Sequence, residues 1–315
     1  MPIALAIHGG CGVLAKLDWP EADWAAARAD LARSLDAGWA ILKSGGAALD
    51  AVEAAVVVLE DSPHFNAGYG AALNEAGEHE LDASIMDGAT LAAGAVTLVR
   101  RIRNPVRAAR RVLEQGEVVL LGGAAGDDFA ASQGLEMVSP DYFTTPRRRE
   151  ALAAMQAHAA QGSSGSEAEK HGTVGAVALD RAGHLAAATS TGGFTNKRRG
   201  RIGDSPIIGA GTYARDGVCA VSGTGQGELY IRHVVGHEIA SRMAYLGEDL
   251  KTATDQVILR DLERHGIGAG AVAVDAQGHV AAPFNTDGMF RGWVTGDGER
   301  VVATHMELHR IGRLG

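Results

Sequence analysis

The stretch Gln161-Gly-Ser-Ser-Gly-Ser-Glu-Ala-Glu-Lys-His-Gly172, followed by Thr173-Val-Gly-Ala-Val-Ala-Leu-Asp180, joins two kinds of chain at one peptide bond. The first part is rich in Gly and Ser with interspersed charge, a composition that cannot bury enough apolar surface to order itself. The second is small, apolar and β-branched at its start, the pattern of an interior strand. A pliable leader meeting a stiff strand makes the Gly172–Thr173 bond a candidate for scission. A cut there gives Thr173 a free α-amine beside its own hydroxyl, so that one residue carries nucleophile and base. Gly172 suits such a bond, because glycine tolerates backbone geometry that other residues resist.

Working outward, Thr173–Leu179 and Leu185–Ser190 flank the turn sequence Asp180-Arg-Ala-Gly183 and read as a hairpin. Its antiparallel return brings Thr189-Ser-Thr-Gly-Gly193 back beside Thr173, which predicts a hydrogen bond between Thr191 and the Thr173 hydroxyl. Gly175–His184 aligns with Gly270–His279, so a second, similar hairpin is expected beside the first in one antiparallel sheet. The same repeat makes Gly183, His184, Gly278 and His279 turn residues rather than catalytic ones.

Upstream, residues 3–7 form an apolar run suited to a strand buried on both faces, which His8-Gly-Gly-Cys-Gly12 then breaks. Trp24, Leu31, Leu35, Gly38 and Leu42 recur at helical spacing across Pro20–Leu42, and a second helix fits Ala47–Leu59. Asn104-Pro105 reads as cap and first residue of a helix ending near Gln115 before Gly116, with a short strand at Val118–Leu121. Glu228–Leu246 and Glu248–Arg264 read as helices. Strands and helices in blocks predict an α+β, αββα-type layered fold rather than a succession of βαβ units.

Bulk properties exclude several classes. The 315 residues carry a net charge of −9 with no long basic run, so nucleic-acid binding is not expected and Arg147-Arg148-Arg149 reads as a solvated surface. Two cysteines, Cys11 and Cys219, support no disulfide framework. The first residues lack a basic n-region and a long apolar run, which predicts a cytoplasmic protein. The 43 glycines stand against 6 Phe, 5 Tyr and 4 Trp, favouring close backbone packing over aromatic layers.

Two further constellations suit chemistry, and a third does not. In Arg201-Ile-Gly-Asp204-Ser-Pro206 a guanidinium and a carboxylate three residues apart suit a zwitterion, with Arg201 on its carboxylate and Asp204 on its ammonium. A surface salt bridge is the competing reading. Ser222-Gly-Thr224-Gly-Gln-Gly227 precedes a helix, where N–H groups suit an oxyanion. A phosphate-cradling loop, and hence a nucleotide-binding protein, is the rival, but the Lys-Ser/Thr of a P-loop is missing. His233 and His237 share a helical face without the glutamate or third ligand of a zinc site.

Together these pieces resemble the plant-type asparaginase and isoaspartyl peptidase family of N-terminal nucleophile hydrolases. The resemblance rests on His8-Gly-Gly, Phe65-Asn66-Ala-Gly68, Glu80-Leu-Asp-Ala83, Met86-Asp-Gly88, Gly94-Ala-Val96, Arg103-Asn-Pro105 and Gly172–Val177. It continues through Ser190-Thr-Gly-Gly193, Thr195-Asn-Lys197, Gly200–Pro206, Thr224-Gly225 and Pro283-Phe-Asn-Thr286. It implies an αββα sandwich and a precursor cleaved before Thr173, with residues 1–172 and 173–315 forming one folded domain as a dimer of heterodimers. Residues 147–172 would be the flexible linker. By position the resemblance makes Thr173 the nucleophile, Thr191 its partner, and Thr224 with Gly225 the oxyanion hole. Asn66 lies close to the nucleophile, and Arg201, Asp204, Thr224, Gly225 and Gly227 bind substrate. It implies no catalytic cofactor, but a structural sodium held by backbone carbonyls of Leu59, Glu60, Ser62, Phe65, Ala67 and Tyr69. The implied substrates are asparagine and β-aspartyl dipeptides. A glycosylasparaginase is the alternative within the same chemistry. Two departures stand out: His171 before the cleavage pair, and Gly223 before Thr224, where relatives carry a larger residue.

Overall fold

The computed structural model describes residues 2–12, 14, 19–160 and 172–314. The leader Gln161–His171, read from sequence as pliable, lies outside the described residues. A nine-stranded sheet dominates. In chain order it contains β1 (Ala4–Gly12), β2 (Leu81–Asp87), β3 (Ala93–Val99), β4 (Leu120–Gly122), β5 (Val174–Leu179) and β6 (Leu185–Thr191). The chain then forms a separate four-stranded sheet from β7 (Thr212–Arg215), β8 (Cys219–Gly225), β9 (Ala269–Asp275) and β10 (Val280–Ala281), before β11 (Gly288–Val294), β12 (Glu299–Ala303) and β13 (Leu308–Arg313) return to the first. The strand orders are β13-β12-β11-β1-β5-β6-β2-β3-β4 and β10-β9-β8-β7.

Helices α1 (Glu21–Lys43), α2 (Ala48–Glu60) and α3 (Pro105–Gln115) cover the outer face of the large sheet, and α4 (Gly123–Ser132) follows its edge strand. The inner face packs on the small sheet, whose far side carries α7 (Val235–Leu246) and α8 (Leu250–Gln256). This is the expected αββα sandwich. Its two cores explain the unbroken apolar strands: Leu5 and Ile7 of β1 face the helices, while Ala4 and Ala6 face the second sheet. Strand β5 divides likewise, with Val174, Ala176 and Ala178 on one side and Val177 and Leu179 on the other. Period-2 alternation thus hides in sequence when both faces are dry.

Several expectations need correcting. Strand β1 runs on through His8–Gly12, absorbing the glycines as an irregularity between His8 and Gly10 in its pairing with β11. Residues 147–160 are not linker but most of α5 (Pro146–Ala160), an alanine-rich run that buries Leu152 and Met155. Its basic cluster is not freely solvated either. Arg147 stacks 4.5 Å from the Trp19 ring and donates to the Pro63 and His64 carbonyls, and Arg148 donates to Gly70 O. The two repeated hairpins lie in different sheets, β5–β6 in the large one and β9–β10 in the small one, with β5 packed across from β9. A strand of small apolar residues is as well suited to face-to-face packing as to pairing side by side.

The turns of both hairpins do share one design. Asp180 Oδ1 accepts the N–H groups of Ala182 and His184, and Asp275 Oδ1 those of Gln277 and His279. Downstream, the predicted single helix over 228–246 is two, α6 (Gly227–His233) and α7, because Val234 turns left-handed at φ 49°. That turn lets Gly236 and His237 donate to the carbonyls of Ala210 and Gly209. The helix predicted over 248–264 ends as α8, a π turn over Val257–Asp261 and a short 3-10 turn over Glu263–His265. Strand β4 starts two residues later than predicted.

Candidate active site

The Gly172–Thr173 bond sits where β5 leaves the large sheet, beside the end of β6 and the bulged β1. Gly10, at φ 104°, makes this approach possible: a Cβ there would come 2.9 Å from the Gly172 Cα and 3.1 Å from the Thr173 nitrogen. Thr173 is buried, and its hydroxyl donates to Thr191 Oγ1 at 3.2 Å, as the hairpin geometry predicted. Thr191 in turn donates to the Gly172 carbonyl at 3.0 Å and accepts the Gly193 N–H at 3.0 Å. A second donor, Asn66 Nδ2, reaches the same Gly172 carbonyl at 2.9 Å, while Asn66 Oδ1 accepts the Ala72 N–H at 2.7 Å. The carbonyl beside the threonine hydroxyl therefore receives two side-chain donors at once, an arrangement able to stabilise negative charge developing on it.

A cleft opens from Thr173 and Thr191 past Phe194 to Arg201, Asp204 and Gly225. Arg201 stacks 4.7 Å from the Phe194 ring, and Glu228 at the start of α6 grips its Nε and Nη2 at 2.8 and 3.0 Å. Asp204 is buried beneath, and burial raises its carboxyl to about 7. Its Oδ2 has no hydrogen-bond partner among the described residues. Gly227 leaves room for both groups, since a Cβ there would meet Arg201 Nη2 at 2.8 Å and Asp204 Oδ1 at 2.9 Å.

Thr224 and Gly225 divide. Gly225 lines the cleft. The Thr224 side chain turns away from it to accept the Cys11 N–H at 3.3 Å, and the Thr224 carbonyl accepts the Tyr230 hydroxyl at 2.9 Å. Gly223 is explained by the same tyrosine, because a Cβ would lie 2.5 Å from its ring. Cys11 and Cys219 are free and buried, with burial pushing both thiols up to about 12, so neither is an activated nucleophile.

A buried hydroxyl chain under the site is what sequence reading missed. His8 Nε2 meets Ser222 Oγ at 2.9 Å, Ser222 meets Thr189 at 2.7 Å, and Thr212 and Ser84 extend the chain to the Ser205 carbonyl. Burial lowers His8 to about 3, so the ring is neutral. The available signal was polar residues in strands otherwise apolar on both faces. Glu228 was also missed, as one more acid at a helix start. His233 and His237 do not converge: His233 Nε2 meets His265 Nε2 at 3.1 Å, and His237 meets Ser241.

The loop after α2 carries the backbone carbonyls to which the sequence resemblance assigns a cation. Among the described residues no backbone N–H donates to those of Ser62, Phe65, Ala67 or Tyr69, while those of Leu59 and Glu60 each accept one or more. Ser62, Phe65 and Ala67 are buried, and carbonyl oxygens without an N–H partner have the chemistry that a hard cation takes. Among the described residues no helix is long and apolar enough to cross a membrane.

Residues 1–304 match the asparaginase family. The chain is 48% identical to the isoaspartyl peptidase of Salmonella typhimurium over 294 residues, covering 92% of this chain and 94% of that one. It is 46% identical to the isoaspartyl peptidase of Escherichia coli, covering 92% of each. It is 40% identical to a probable isoaspartyl peptidase/L-asparaginase of Arabidopsis thaliana, covering 95% and 98%. The αββα sandwich is that of an N-terminal nucleophile hydrolase. Within that class the chain belongs to the plant-type asparaginase and isoaspartyl peptidase family, and it is a hydrolase.

Proposed function

We propose that this chain matures by cutting itself before Thr173 and then hydrolyses the side-chain amide of L-asparagine and the isopeptide bond of β-aspartyl dipeptides. The observation that carries the proposal is the Gly172 carbonyl held by Asn66 and Thr191 directly beside the Thr173 hydroxyl. In maturation Thr173 Oγ1 attacks the Gly172 carbonyl carbon, and the C–N bond breaks to leave an ester. The hydroxyl proton passes to the Thr173 nitrogen. Water then hydrolyses the ester, releasing the Gly172 carboxylate, the free hydroxyl and the α-amine.

In turnover the α-amine takes the Thr173 hydroxyl proton as Oγ1 attacks the β-carbonyl of the bound aspartyl unit. The same proton goes to the leaving ammonia or peptide amine. Water hydrolyses the β-aspartyl ester to aspartate. Arg201 takes the substrate α-carboxylate on the guanidinium edge that Glu228 leaves open, and Asp204 takes the α-ammonium. Gly225, on the cleft, faces the developing oxyanion, and Thr224 acts from behind it by fixing the strand end that presents Gly225. The carbonyls of Leu59, Glu60, Ser62, Phe65, Ala67 and Tyr69 would hold a sodium ion, which would stiffen the loop that presents Asn66, and the cut chains pair as a dimer of heterodimers.

Intact mass of denatured, freshly purified protein tests maturation: wild type divides between Gly172 and Thr173, and Thr173→Ala stays whole. A wild type that remains one chain, or a variant that splits at the same bond, refutes it. Assays with asparagine, β-aspartyl-leucine and glycosyl-asparagine test the substrate. Aspartate released only from the last would make the enzyme a glycosylasparaginase.

A further inference from the structure

Lys197 is fully buried, which is uncommon for a lysine lacking a close partner or task. Its Nζ donates to the Glu80 carbonyl at 2.8 Å. Asp82 and Glu80 supply the attraction that offsets part of its desolvation. Asp82 lies opposite Thr191 in the β2–β6 pairing, and its Oδ1 is fixed by the Thr97 hydroxyl and the Leu98 N–H at 2.6 and 2.9 Å. Its Oδ2 has no hydrogen-bond partner among the described residues.

The side chain of Lys197 backs onto Gly193. A Cβ at Gly193 would come 2.6 Å from Lys197 Cδ and 2.9 Å from Nζ, and Gly193 holds φ 82°. The Gly193 residue is the common support of the two donors at the reacting carbonyl. Its N–H donates to Thr191 Oγ1 at 3.0 Å, and its carbonyl accepts Asn66 Nδ2 at 2.6 Å. One glycine thus sets the position of both side chains, and the lysine braces it from behind.

We propose that Lys197 is a positioning residue for acyl transfer at Thr173, its buried ammonium and stem holding Gly193 where it aims Thr191 and Asn66 at the reacting carbonyl. The proposal rests on the reading of Thr173 as nucleophile. It deepens that reading by giving a role to a charge remote from the substrate clamp. A bland alternative is that Lys197 merely ties its loop to β2 for stability. The two differ in what they predict for a folded variant.

Lys197→Met keeps the stem and removes the ammonium, but it leaves Asp82 buried without its counter-charge and risks unfolding the chain. The pair Asp82→Asn/Lys197→Met removes both charges and keeps an acceptor for Thr97 and Leu98. Each is followed by intact mass for self-cleavage, by melting temperature for the fold, and by steady-state kinetics on β-aspartyl-leucine. Misplacement by about 1 Å costs on the order of 100-fold, so at least one folded variant should cleave and turn over about 10- to 100-fold more slowly. KM should stay within about threefold, because Arg201 and Asp204 keep their own supports. Cleavage and kcat within twofold of wild type in a folded variant would overturn the proposal. So would a raised KM at unchanged kcat. Failure of both variants to fold would overturn it as well, making Lys197 a residue of the fold alone. Failure of the underlying reading looks different: wild type itself stays uncut.

Discussion

Thr191→Val is the sharpest perturbation of the site, since valine keeps the β-branched shape and removes only the hydroxyl. That hydroxyl makes three bonds: it accepts from Thr173, accepts from the Gly193 N–H, and donates to the Gly172 carbonyl. Loss of the donor removes one of two groups stabilising charge on the carbonyl, which costs about 100- to 1,000-fold in rate, or about 2.7–4 kcal/mol in the barrier. Loss of the acceptor leaves the buried Gly193 N–H unpaired at about 1–3 kcal/mol of stability. The fold should therefore survive with a melting temperature lowered by several degrees, while self-cleavage slows by at least 100-fold. Intact mass against time after purification measures the first quantity, and differential scanning fluorimetry the second. A cleavage half-time within threefold of wild type, at whatever melting temperature, would refute the argument that Thr191 polarises the bond.

Other consequences follow from the clamp and the loop. Burial raises Asp204 to about 7, so the carboxylate proposed to take the substrate ammonium is the minority form below that pH. KM should rise roughly tenfold from pH 8 to pH 6 with kcat changing less, and a flat KM profile would contradict it. Glu228→Gln weakens the two-pronged hold on Arg201. We expect KM to climb about 5- to 10-fold with kcat little altered, and equal losses in both would point to a role in chemistry. Replacing sodium by N-methylglucamine should lower the melting temperature if the carbonyls of the loop after α2 hold a cation. At 100 times the dissociation constant the stabilisation lost is about 2.7 kcal/mol, and an unchanged transition would exclude the ion.

How much was legible beforehand varied with how local the signal was. The β5–β6 hairpin, its Asp180 turn and the contact from Thr191 to Thr173 followed from chain direction alone, because an antiparallel return fixes who sits beside whom. Helix α3 was marked at both ends, by Pro105 and by Gly116 in the left-handed conformation. The break at Val234 carried no local mark, since its cause is a pair of distant carbonyls, Gly209 and Ala210. Helix α5 was misjudged for a related reason. Its alanine-rich run reads as neutral, and what orders it is burial of Leu152 and Met155 and arginine contacts to a loop some eighty residues away. At the site, Arg201 and Asp204 were visible as a charged pair, whereas their support by Glu228 and the His8–Ser222–Thr189 chain depended on pairings between strands far apart in sequence.

The strand order has one more implication. In the large sheet β1 lies between β11 and β5, and β2 beside β6, so strands from either side of residue 172 alternate across it. Asp180 Oδ2 also caps the Ala48 N–H at the start of α2, stitching the two portions together outside the sheet. A break at Gly172–Thr173 therefore frees an end without freeing a piece. The halves are dovetailed like a finished joint, and parting them demands melting the whole molecule. Made separately, each half would display raw strand edges and tend to stick to itself. The contacts that hold the two portions together thus lie across the sheet and not in the bond between residues 172 and 173.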